Sequence, residues 1–185
     1  MENSIIISTY RKNSLFFAVG VSKSNGKIMA ITLPKSDEKE AIMEISNLYP
    51  DFVICDEYED LALKMSEIYE GKKVNIDLEM LDLRVDKSNK NLPFKSDFMR
   101  KVLLETWKIP HGKTETYKSI AEKLDSKAHR AVGTSLARNP YPLAIPCHRV
   151  IKSDYSIGKY GGGSDMKKKI LKKEGVKIKG NKVFF

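Results

Sequence analysis

Three prolines fall within seven residues, at Pro140, Pro142 and Pro146, and a helix interior tolerates none of them. The chain must therefore change direction there. Lys127 to Arg138 reads as a helix. Asn139-Pro140-Tyr141-Pro142 stops it and turns the chain into an apolar run, Leu143 to Ile145, which ends at Pro146. Cys147 and His148 follow. A cysteine beside a histidine, in a chain with two cysteines in all, is a candidate nucleophile with a base at hand. Adjacent side chains of a strand point to opposite faces. The two can cooperate only if the strand ends in a turn at Pro146, or if a water joins them. The plain alternative is a small buried side chain next to a surface histidine.

At 185 residues the chain is one domain or two small ones, and a hydrophobic content of 41% supports a packed core. No apolar run approaches the roughly 20 residues of a membrane span. The N-terminus lacks a basic-then-apolar leader pattern. The expected location is intracellular: cytoplasmic, or nuclear in a eukaryote. There Cys55 and Cys147 stay reduced. His111, His129 and His148 show no ligand spacing with the cysteines, which argues against a zinc site. Charge divides the chain. Residues 1–90 hold 12 Lys and Arg against 16 Asp and Glu, a net −4, whereas residues 91–185 hold 21 against 8, a net +13. A basic C-terminal half suggests a polyanionic partner. Lysine runs such as Lys167-Lys168-Lys169 fit a plain solvated helix face equally well.

In the N-terminal half, Ser4–Tyr10, Leu15–Ser22 and Ile28–Leu33 read as strands, the last two joined by an Asn25-Gly26 turn. Together they make a three-stranded antiparallel meander. Ser36 is placed to cap a helix reaching Leu48, and Ala41, Ile42, Ile45 and Leu48 recur at helical spacing. Phe52–Cys55 reads as a short buried strand with Cys55 in the core, and Glu59–Tyr69 as a second helix. The polar run Asp86–Asn91 marks a domain boundary, giving an α/β support domain over 1–90 and a second domain over 91–185.

In the C-terminal half, Ser96 caps a helix from Asp97 to Trp107, with Trp107 as a core anchor. Thr116–Leu124 is a short capped helix. With Lys127–Arg138 it makes a helix-turn-helix candidate. The second helix interleaves small residues (Ala128, Ala131, Gly133, Ser135, Ala137) with Lys127, His129, Arg130 and Arg138. Such a face permits close approach to a surface and suits phosphates, although small residues also serve tight packing within a domain. A glycine-rich loop, Ser156–Gly163, follows the cysteine. Ser164 can cap a final helix, Asp165–Lys173, with Gly175 as its stop. Glu174 sits in that helix's last turn, where the dipole disfavours a carboxylate. Orienting a histidine would explain the placement, and a surface glutamate among lysines is the simpler reading.

Thr116-Tyr117, Arg130-Ala131-Val132-Gly133, Asn139-Pro140, Ile145-Pro146-Cys147-His148-Arg149-Val150, Tyr160-Gly161-Gly162 and Glu174-Gly175, in this order, resemble the O6-alkylguanine-DNA alkyltransferases over roughly residues 93–176. The N-terminal half is similar to that family in layout only. The resemblance implies an α/β N-terminal domain of RNase H-like layout, a small antiparallel sheet with helices. It implies a mainly α C-terminal domain with a winged-helix-like helix-turn-helix. Its implied activity is stoichiometric, irreversible transfer of an alkyl group from O6-alkylguanine in double-stranded DNA to Cys147, possibly from O4-alkylthymine too. His148 would act as base through a water, Glu174 as its orienter, Asn139 as a brace, and Tyr117 as hydrogen-bond donor to the guanine. Arg130 would fill the gap left by the extruded base. Lys127, Ala131, Gly133, Ala137 and Arg138 would meet DNA in the minor groove. Pro142, the carbonyls of Cys147 and Val150, and Tyr160, Gly161 and Gly162 would line the pocket. The resemblance further implies a monomer with no metal or organic cofactor and no membrane association.

Two other classes fit parts of the pattern. One is a non-catalytic lesion-binding protein, against which Cys147 argues. The other is a cysteine hydrolase using Cys147, His148 and Glu174, which would have no need of a helix-turn-helix with an arginine on its face.

Overall fold

In the computed structural model, which describes residues 4–85 and 93–184, the N-terminal β-rich runs pair as the sequence predicts. Strands β1 (Ile5–Lys12), β2 (Leu15–Ser22) and β3 (Ile28–Ile31) form an antiparallel meander. Helix α1 (Glu38–Ser46) is capped by Asp37, whose side chain accepts from Glu40 N, and not by Ser36. It carries the chain across to β4 (Phe52–Ile54), which pairs parallel to β1 and gives the order β3-β2-β1-β4. The sheet is thus mixed, because a helical crossover delivers a strand in the parallel sense. Helix α2 (Glu59–Tyr69) follows. Ala41 and Ile45 of α1 cover one sheet face with Ile5, Ile7 and Ala18, and α2 covers the other with Phe17, Val19 and Val21.

Cys55 corrects the sequence reading. β4 is an edge strand, Val53 and Ile54 are 43% and 56% exposed, and Cys55 beside them is exposed and not in the core. An apolar run of four residues does not reveal whether its strand lies inside a sheet or at its rim. Leu48 is likewise exposed, past the end of α1. The run Asp86–Asn91 lies outside the described residues.

The C-terminal half opens with α3 (Asp97–Trp107), whose N-cap Ser96 accepts from Met99 N and whose buried face is Met99, Val102, Leu103 and Thr106. Trp107 is partly buried and donates to Ile76 O at 3.2 Å. Strand β5 (Glu115–Thr116) leads into α4 (Tyr117–Lys123), capped by Thr116. After a turn with Asp125 at φ 51°, α5 runs over His129–Ala137, shorter at both ends than the sequence suggested. A 3-10 turn (Cys147–Arg149) and β6 (Val150–Ile151) follow, and β6 pairs parallel with β5. Helix α6 (Gly163–Lys173) begins without a side-chain cap, so Ser164 does not serve as one. A hairpin of β7 (Lys177–Lys179) and β8 (Lys182–Phe184) ends the described chain. These two small sheets were not read from the sequence, since strands of two or three residues carry almost no periodic signal.

The main buried cluster runs without a break from Val19, Met65 and Ile68 to Leu103, Leu136, Ile145 and Cys147. Ile31 N on β3 donates to Pro140 O at 2.9 Å, fastening the proline-rich turn to the sheet edge. The cysteine stretch is therefore held by both halves of the chain.

Candidate active site

Pro146 ends the extended run, and Arg149 N donates to Pro146 O at 2.8 Å to close the 3-10 turn. In such a turn adjacent side chains diverge by about 120°, which removes the strand objection to a Cys147–His148 partnership. Cys147 is 8% exposed and His148 fully buried. Asn139, one residue beyond α5's C-cap, braces the stretch with both ends of its amide. Its Nδ2 donates to Ile145 O at 2.9 Å and to Cys147 Sγ at 3.2 Å, and its Oδ1 accepts from Tyr141 N at 3.0 Å.

Glu174 is not a surface glutamate. Its side chain is fully buried and lies 3.0 Å from His148 Nε2. Arg149 grips the same carboxylate with Nε at 2.9 Å from Oε2 and Nη2 at 2.7 Å from Oε1, while its Nη1 donates to Ile109 O at 2.7 Å. Gly112 N donates to Oε2 at 3.3 Å. Burial pushes the Glu174 carboxyl up, but the hydrogen bonds and charges of His148 and Arg149 outweigh that and bring it to about 2. Burial pushes the His148 imidazole down, against the pull of Glu174. Both directions describe one state: an ionised carboxylate accepting from Nε2–H of a neutral imidazole. That fixes the tautomer. Nδ1 is then the basic nitrogen, and it is buried without a hydrogen-bond partner. Burial raises the Cys147 thiol, with Asn139 and the Lys167 cation pulling the other way. The resting pair is thus a thiol and a free base.

Cys147 opens onto a cavity of about 1430 Å³. Of the residues that the resemblance assigns to a pocket, Tyr117, Pro142, Tyr160 and Gly161 line this cavity, whereas Gly162 and Val150 do not. Gly162 is the N-cap of α6. Val150 O accepts from Lys167 Nζ. The Tyr160 hydroxyl is buried with no hydrogen-bond partner, and its ring meets His148 edge-on at 6.4 Å between centroids. Burial raises the Tyr117 hydroxyl, so it remains a proton donor. Arg130, Gly133, Ala137 and Arg138 line the same cavity from α5. Lys127 and Ala131 are exposed but do not line it. Of the small residues of this segment, Ala128, Ala131 and Ala137 face outward and Ser135 packs inward. The tight-packing explanation therefore fails for most of them.

Two residues here were missed. Arg149 lies within the cysteine motif, but nothing in one sequence says which way its side chain turns. Lys167 was grouped with a solvated run, yet it is fully buried and its Nζ stands 5.9 Å over the Tyr117 ring. Burial brings its ammonium down to about 8. A signal was present: Lys167, Ile170, Leu171 and Glu174 fall at i, i+3, i+4 and i+7, the spacing of one helix face.

Known proteins resemble this chain in sequence and in fold. Residues 97–176 match a family model described as the DNA-binding domain of 6-O-methylguanine DNA methyltransferase. A methylated-DNA–protein-cysteine methyltransferase of Sulfolobus acidocaldarius is 34% identical over 155 residues, 83% of this chain and 92% of that protein. One from Methanothermobacter thermautotrophicus is 40% identical over 111 residues, 60% of this chain and 57% of that protein. The crystal structure of an O6-methylguanine-DNA methyltransferase from Pyrococcus kodakaraensis superposes with a TM-score of 0.67 and 26% identity, over 93% of this chain and 99% of that one.

Proposed function

Because the chain belongs to the methylated-DNA–protein-cysteine methyltransferase family, we propose that it repairs double-stranded DNA by moving an alkyl group from O6 of guanine to Cys147. The observation that carries this reading is the cavity-facing thiol, braced by Asn139 beside a neutral imidazole whose free nitrogen is Nδ1. A water passes the Sγ proton to His148 Nδ1, and Glu174 stabilises the imidazolium that forms. The thiolate attacks the alkyl carbon. The C–S bond forms as the C–O bond breaks, and the electron pair of the C–O bond goes to the guanine. Tyr117 hydrogen-bonds the ring as it takes up that charge. The step balances on the protein's own side chains, leaves a stable thioether, and spends one protein molecule per lesion.

A base stacked in a duplex cannot reach Sγ, so it is extruded into the cavity. The outward Ala128, Ala131 and Ala137 of the recognition helix, with its flanking Lys127 and Arg138, suit a minor groove about 6 Å wide, and Arg130 takes the place of the missing base. Pro142, Tyr160 and Gly161 make the pocket wall, and the carbonyl of Cys147 accepts from the exocyclic amine. Val150 O, which accepts from Lys167 Nζ, and Gly162 stand off the cavity and take no part in this reading. The finer architecture is read as an RNase H-like support unit over 1–90 and a winged helix-turn-helix in 91–185, working as a monomer in the cytoplasm or nucleus. Among the described residues no helix is long and apolar enough to cross a membrane.

Titration of the protein with an O6-methylguanine duplex tests the reading. Repair should stop at one lesion per molecule. Repeated turnover of a small ester, with no lesion removed, would instead favour a cysteine hydrolase. Replacing Arg130 with alanine should slow transfer at low protein concentration by about tenfold, roughly 1.4 kcal/mol, while methylation at saturating DNA still reaches completion. Lys167→Met removes a buried cation and should raise stability by about 1 kcal/mol. The same change should slow the reaction of Cys147 with iodoacetamide. Thermal melts and peptide mass read the two effects separately.

A further inference from the structure

The chemistry assigned above uses nothing from the N-terminal half, yet that half reaches the relay at one point. Helix α2 ends in Tyr69, Glu70 and Gly71. Gly71 has φ 81°, and a Cβ there would lie 2.5 Å from Lys173 O and 2.6 Å from Lys173 C. The backbone of α2's end therefore rests directly on the last turn of α6, one residue before Glu174. Side chains hold the contact. Lys173 Nζ pairs with Glu70 at 2.7 Å and stands 4.9 Å over the Tyr69 ring, with Lys169 Nζ 5.4 Å from the same ring. Tyr69 in turn packs edge-on against Phe17 of β2, 5.7 Å between centroids. On the far side, His111 Nε2 donates to Gly71 O at 2.8 Å. Next to it, Gly112, at φ 72°, comes so close that a Cβ would lie 2.8 Å from Glu174 O, and its N–H reaches the Glu174 carboxylate. Glu174 is thus seated between the end of α2 and the 109–112 turn that α2 fastens.

We infer that Tyr69–Gly71 is a positioning element for the proton relay, through which the N-terminal half sets Glu174 and thereby His148. The inference rests on His148 and Glu174 serving Cys147 as described above. A carboxylate displaced by a fraction of an ångström holds an imidazolium less well, and misplacements of about 1 Å are worth up to about 10²-fold in rate.

The test is the pH dependence of Cys147 alkylation by iodoacetamide in the free full-length protein, read by peptide mass, with exposed Cys55 as internal control. In Gly71→Ala the Cys147 rate should fall about tenfold, and its midpoint should move to higher pH by about half a unit or more. The Cys55 profile and the affinity for an unmodified duplex should not change. The double variant Glu70→Gln/His111→Phe keeps the glycine, guards against misfolding of the first variant, and should move the midpoint the same way by less. A lower rate with an unmoved midpoint would reduce the contact to scaffolding and overturn the inference, as would profiles like those of the unaltered protein. Failure of the unaltered protein to take a methyl group from DNA would instead sink the transfer reading, and the iodoacetamide profiles would still decide this one.

Discussion

Cys147→Ala should end repair altogether while leaving the protein folded and bound to DNA. The sulfur is the acceptor atom, and no other cysteine lines the cavity among the described residues. Asn139 Nδ2 keeps Ile145 O as one acceptor when Sγ is gone, and its other N–H loses only a weak sulfur acceptor. The stability change should stay near 1 kcal/mol, within the usual range for a small core truncation. Binding should persist because phosphates, met by the lysines and arginines about α5, supply most of the affinity for a duplex. Affinity should fall steeply with added salt for both proteins. Gel-shift titration and a repair assay on the same preparation check the two halves of this expectation. Residual repair by the variant would reassign the acceptor.

Glu174→Gln should be the most damaging change outside the cysteine, and it acts twice. The amide cannot stabilise an imidazolium as a carboxylate does, so transfer should slow by about 10²-fold or more, the usual worth of a positioned base. The amide also leaves Arg149, whose side chain is 12% exposed, without its counter-charge. Stranding one partner of a buried pair costs about 3 kcal/mol or more, and the melting temperature should drop by several degrees. Acid should expose the same network. The folded Glu174 pKa of about 2 lies below its ordinary 4.5. Its stabilisation is therefore complete above about pH 4.5 and is lost as pH falls toward 2. His148 is also pushed below its ordinary 6.5. The unfolded chain then binds the proton first, and stability begins to fall below about pH 6.5. Denaturant melts between pH 7 and 3 should show a steeper loss for the unaltered protein than for Glu174→Gln.

Much of this site was legible before any coordinates, and the reasons are local. The prolines at 140, 142 and 146 dictated a break between α5 and the cysteine, and Thr116 and Ser96 announced their helices by capping chemistry. Cys147, His148 and Glu174 each allowed a bland reading taken alone, and their expected roles came from the order of motifs that resembles the alkyltransferases. What stayed hidden depended on distant contacts. Cys55 sits in an apolar run like a core residue, and its exposure follows from β4 taking the sheet edge. Lys167 looked like its lysine neighbours, and its burial follows from how α6 settles over Val150 and Tyr117. Arg149, Gly71 and Gly112 converge on Glu174 from sequence positions 25 to over 100 residues away, a meeting that no window of residues encodes. The short β5–β6 pair, which ties the start of α4 to the turn after Cys147, is another such contact.

The most direct measurement is peptide mass mapping after a single incubation with duplex DNA carrying O6-methylguanine. One methyl group should appear on the peptide containing Cys147, in proportion to the lesions removed, and none on the peptide containing the exposed Cys55. Lesions lost without added mass at Cys147, or the methyl group found on Cys55, would contradict the assignment of Cys147 as acceptor.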